Sequence, residues 1–137
     1  MKLLAFSAHA TDSTASTDAP GQNIVALAND ADPHQVTLEG VDRIDLNFPK
    51  FTDGRAFSQA FLLRRRLGFK GEIRAIGDVL VDQLAQMERS GFDVAVLRAD
   101  QSMDIAQHVL AAYPGYGVGK YQGDAVDIAP HFVTAAV

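Results

Sequence analysis

The stretch Phe48-Pro49-Lys50-Phe51-Thr52-Asp53-Gly54-Arg55, continued by Gly71-Glu72-Ile73-Arg74-Ala75-Ile76-Gly77-Asp78 and by Gly91-Phe92-Asp93, decides the fold. The first two pieces each close a strand-like run with a polar turn, and each turn opens an amphipathic segment. Ile44, Leu46 and Phe48 fall on one side of their run, and Arg43, Asp45 and Asn47 on the other. That is the two-residue period of a strand. Ile73, Ala75 and Gly77 oppose Arg74, Ile76 and Asp78 in the same way. Between the two runs, residues 54–67 carry Ala56, Ala60, Leu63 and Leu67 on one stripe, with Phe57 and Phe61 beside it. This is helical spacing. Asp53 is placed to cap that helix and Gly68 to end it. Asp78 is placed to cap a helix through Arg89, with Leu80, Leu84 and Met87 in line and Gly91 as its stop.

Outward from this centre the alternation continues. Asn23 to Ala28 is a short apolar run that suits a buried strand. Asp32-Pro33 opens a short helix closed by Gly40. Val94 to Leu97 is another strand. Ser102 caps a last helix, whose Ile105, Val109 and Tyr113 form a stripe that Pro114 ends. Strand–helix repetition with crossover-length connections predicts a single α/β domain, a parallel sheet of about four strands with alternating helices. A half-barrel-like arrangement and an open three-layer sheet both satisfy it. The polar sides of two strands imply one partly open face and favour the half-barrel. Residues 1–22, rich in small polar residues, read as a flexible N-terminal arm. Residues 23–114 form the α/β domain, and 115–137 a loop and apolar tail that packs on the domain or on a partner chain.

Composition narrows the function classes. A net charge of -5 opposes a nucleic-acid grip built on a basic field. The absence of cysteine removes disulfides, thiolate nucleophiles and thiolate metal sites, and it fits a reducing cytoplasm. The apolar run at Met1 to Phe6 is too short for a secretory signal, and no stretch is long enough to span a bilayer.

In parallel α/β folds, ligands bind beyond the carboxyl ends of the strands. Asp53, Gly54, Arg55 and Asp78 belong to that edge, and a third turn adds Arg98, Asp100 and Gln101. Arg55, in the first turn of its helix, suits a clamp on a carboxylate, phosphate or sulfur oxoanion. The plainer reading makes Asp53 and Asp78 helix caps worth about 1 kcal/mol each, which leaves Arg55 unexplained. Asp45 and Arg74, on the polar sides of neighbouring strands, form an ion pair or line one pocket with Asn47 and Asp78. Other motifs fail. Gly115 to Lys120 lacks the leading glycine and the Ser or Thr of a phosphate loop. His9, His34, His108 and His131 show no metal-ligand spacing, so no metal is expected. No nucleophile elbow exists, and the sequence names no cofactor. Arg64-Arg65-Arg66 covers nearly a full helical turn, so the three cannot share one ligand.

The motifs Phe51-Thr52-Asp53-Gly54-Arg55, Ser58, Ala60, Leu63-Arg64, Gly71 to Asp78, Asp82-Gln83 and Gly91-Phe92-Asp93 recur in order in a bacterial domain-of-unknown-function family, number 934, which the chain resembles over roughly residues 24–98. The resemblance implies a small cytoplasmic bacterial protein associated with sulfite reduction and sulfate assimilation, some of whose relatives carry an oxidoreductase label. Ser90 stands where the family often has cysteine. The implied function is an accessory protein that docks on sulfite-reductase components or on a second copy of itself, without nucleic acid or membrane. The alternative is a small oxidoreductase or anion-binding enzyme using Arg55, Arg74 and nearby carboxylates.

Overall fold

Strand β1 (Lys2–Ala5) lies at one edge of a five-stranded sheet, followed in space by β5 (Val94–Leu97), β4 (Glu72–Gly77), β3 (Arg43–Phe48) and β2 (Ile24–Leu27). Every neighbouring pair is parallel. The computed structural model describes residues 1–9 and 22–112. Helices α1 (Arg55–Arg65), α2 (Leu84–Ser90) and α3 (Met103–Ala112) follow β3, β4 and β5 in turn.

The strand registers explain the core. Val25, Ile44 and Ile73 stand abreast across three strands, and Leu27, Leu46 and Ala75 abreast one pleat further. Alternation puts all of them on one face, and a slip of one residue would turn that whole set away. Ala56, Ala60 and Leu63 of α1, Leu84 and Met87 of α2, and Ala106 of α3 pack on it. Phe48 sits edge-on to Phe57 at 5.0 Å and tilted to Phe92 at 5.8 Å, which ties β3, α1 and the start of β5. Each such aromatic pair adds about 0.5–1.5 kcal/mol beyond its buried area.

The opposite face carries charge, and it is closed rather than partly open. Arg43, Asp45 and Arg74 are 2%, 6% and 5% exposed. Asp45 stands opposite Arg74 and Arg43 opposite Glu72, so signs alternate along and across the two strands. Arg43 Nε and Nη2 reach Asp45 at 2.8 and 3.2 Å. Arg74 Nε reaches Glu72 at 2.9 Å. Charges at such depth survive only in mutual pairing. Residues 6–9 turn out of β1 over this face, where His9 Nδ1 lies 3.0 Å from Arg74 Nη1.

Three other expectations change. The fifth strand, β1, arises inside the segment read as a flexible arm. Among the described residues β1 and β2 are the edges, so the sheet is open and not a half-barrel. Between β2 and β3 there is only a 3-10 turn, Pro33–Gln35, although Asp32 does accept the His34 N–H at 3.0 Å. The readings placed on Tyr113, Pro114, Gly115 to Lys120, His131 and the apolar tail lie outside the described residues. Among the described residues no helix is long and apolar enough to cross a membrane.

Candidate functional site

The turns that follow β3, β4 and β5 are stitched into one edge. β3 ends at Phe48 because Pro49 cannot continue the ladder. The chain then turns, with the Asp53 N–H bonded to the Lys50 carbonyl at 2.9 Å. Gly77 ends β4 with φ +96°, and a Cβ there would meet the Phe48 carbonyl oxygen at 2.4 Å. Only glycine lets the two turns approach this closely. Asp78 then donates its N–H to Phe48 O at 2.8 Å and accepts the Phe51 N–H on Oδ2 at 2.8 Å. Gln83 Nε2 donates to Phe51 O at 2.7 Å, and Gln101 Oε1 accepts the Val81 N–H at 3.1 Å.

Two arginine–carboxylate sets stand on this frame. In the first, Asp53 accepts the Arg55 side chain at 3.1 and 2.8 Å and the Arg55 N–H at 3.1 Å. Asn29, beyond β2, donates to the same carboxylate. These Arg55 bonds hold the Asp53 carboxyl down to about 2. In the second set, Arg98 directs Nη1 to Asp78 at 2.5 Å, and Nε and Nη2 to the two oxygens of Asp100 at 2.6 and 2.8 Å. The Arg98 fork lowers Asp100 to about 2 and also lowers Asp78, which the Phe51 N–H helps. The two carboxylates in turn raise Arg98, Asp100 more than Asp78. A proton-transfer group works best with a pKa near the working pH. These carboxylates are pushed away from neutrality, so the edge offers charge and hydrogen bonding.

The predicted residues divide. Asp53, Gly54, Arg55 and Asp78 share the carboxyl edge, in two separate sets. Arg74 and Asp45 lie on the buried face of the sheet, among Arg43, Glu72 and His9. Asp78 caps no helix, since Val81–Gln83 is a 3-10 turn entered from Leu80. Gly54 is the N-cap of α1, and Asp53 reaches the Arg55 N–H from one position earlier. Gly54 itself is not sterically required: its φ is -90° and a Cβ there would meet nothing closer than Phe57 at 3.8 Å. Arg98 joins Asp78 to Asp100 at this edge. Its signal was present: an arginine directly after an apolar strand, with an acid two positions on. The same spacing marks Arg43 and Asp45, Asp53 and Arg55, and Glu72 and Arg74, all of which are bonded pairs.

Arg64 has a different task. Its guanidinium donates to the carbonyls of Phe69, Gly71 and Gly91 at 2.9, 2.7 and 3.0 Å and pairs with Asp93. Asp93 also accepts the Ile73 N–H at 2.9 Å. Arg64 thus locks the amino ends of β4 and β5.

A hollow of about 520 Å³ opens elsewhere, lined by Asp82 and Ala85 beside Ile105, His108, Val109 and Ala112 of α3. Ile105 is 54% exposed there. Among the described residues no group of three or more metal-ligating side chains converges.

A family model described as a bacterial protein of unknown function (DUF934) matches residues 24–132. No curated protein and no solved structure matches the chain.

Proposed function

The chain belongs to this bacterial family, and from that premise we propose that it is a cytoplasmic accessory protein of sulfite reduction and sulfate assimilation, which docks on a partner enzyme and performs no catalysis itself. The pathway rests on the motif resemblance. The docking rests on one observation, the apolar hollow along α3, lined by Ile105, Val109 and Asp82 among others. An apolar recess of this size suits a partner helix inserting aliphatic side chains, with a basic residue meeting Asp82. The enzyme alternative needs Arg55 and Arg74 to converge on one substrate. They instead occupy different ion-pair sets, one at the sheet edge and one on its buried face.

The test is co-purification from a sulfate-assimilating bacterium with the partners identified by mass spectrometry. Wild type and Arg55→Ala should recover sulfite-reductase subunits equally, and Ile105→Asp should recover at least tenfold less. Failure of the wild type to recover any such subunit overturns the proposal.

A further inference from the structure

β1 and β5 are neighbours, yet the chain leaves them on opposite sides of the sheet. After β1, residues 6–9 pass over the charged face, where His9 meets Arg74. After β5 the chain enters α3, whose Ala106 packs in the core with Leu97 on the helical face. Adjacent parallel strands that send their chains to opposite faces leave a crevice at their carboxyl ends, and this is where open α/β sheets take ligands. Arg98 is the first residue beyond β5 at that point.

The Arg98 guanidinium has one fixed arm and one exchangeable arm. Nη1 is tied to Asp78, which the Phe51 N–H holds in place. Nε and Nη2 form the two-pronged edge that matches a pair of coplanar oxygens, and here the Asp100 carboxylate occupies it. Asp100 is poorly anchored: its side chain is 60% exposed, and beyond Arg98 it meets Gln101 Nε2 at 3.5 Å. An exposed pair of this kind contributes little, and its carboxylate hydrates readily once displaced.

We infer that Arg98 is the primary contact of a small carboxylate ligand, for which Asp100 is an internal stand-in that swings out as the ligand enters. A carboxylate reproduces the geometry of the present occupant. A doubly charged oxoanion would meet stronger repulsion from Asp78 beside the fork. This inference stands apart from the docking surface on α3 and does not depend on it.

The experiment follows the Arg98 Nε resonance of the full chain by NMR during titration with acetate and, separately, with inorganic phosphate. Asp100→Asn, which weakens the internal competitor, should bind acetate about two- to fivefold more tightly than wild type, the range set by an exposed ion pair. Arg98→Gln, followed through neighbouring amide resonances, should lose binding while keeping the wild-type amide spectrum elsewhere. Ile105→Asp should bind acetate as wild type does. Equal acetate affinity in wild type and Asp100→Asn, or retained binding in Arg98→Gln, overturns the site. Tighter binding of phosphate than of acetate by Asp100→Asn overturns the ligand class.

Discussion

Arg64 and Arg98 stand at opposite ends of the same sheet and do different work with the same side chain. Arg64 lies at the amino ends of β4 and β5, with its side chain 8% exposed, and three of its acceptors are backbone carbonyls. Carbonyls cannot move away without unfolding the turns that carry them. Arg98 lies at the carboxyl ends, 39% exposed, and its side-chain acceptors are carboxylates on flexible stems. Acceptors of that kind are exchangeable. Burial and acceptor type, rather than the presence of arginine in a motif, separate a structural clamp from a candidate binding group.

The largest effect is expected at Arg64. Arg64→Leu removes the charge, leaves three carbonyls without this donor and leaves Asp93 with the Ile73 N–H, so we expect a loss of about 3–5 kcal/mol in urea unfolding. A loss below about 1 kcal/mol would mean that Arg64 is no more structural than an exposed pair.

The glycines at the carboxyl end sharpen it at intermediate scale. Gly77→Ala forces a Cβ into a left-handed backbone and against Phe48 O, and should cost at least about 1–3 kcal/mol. Gly54→Ala, in the open and at a negative φ, should change stability by no more than about 1 kcal/mol. Thermal unfolding of both variants checks the contrast.

The smallest effect is at Arg98. Asp100 has a folded-state pKa below its unfolded value, so its contribution is present above the ordinary value of 3.8 and is lost as pH falls toward about 2. Arg98→Gln should return the Asp100 carboxyl toward 3.8, read by NMR titration, with unfolding near neutral pH almost unchanged. A carboxyl that stays near 2 would show that Arg98 is not what holds it down.

Much of the fold was legible because its signals are local. Apolar alternation over 43–48 and 72–77 set two strands and their core faces, and Gly91 and Ser102 marked helix ends that the structure keeps. Gly91 takes φ 109° beyond α2, and Ser102 Oγ accepts the Ile105 N–H at 3.3 Å. β1 was missed because four residues at a sheet edge, with Leu3 and Leu4 only half-buried, carry little periodicity. The site was half legible. The turns were found, but Asp78 read as a cap because its partners, Phe51 and Arg98, lie 27 and 20 residues away.

Local sequence dictates the alternation of strands and helices, the sidedness of β3 and β4, and the polar turns at their carboxyl ends. These depend on side-chain period and turn chemistry within a few residues. Long-range packing is what buries the polar face and gives Arg64 and Arg98 opposite roles. It also decided that the chain leaves β1 and β5 on different sides of the sheet. Those outcomes depend on which distant segments meet, because desolvation of a charge is set by what packs over it rather than by its neighbours in the chain.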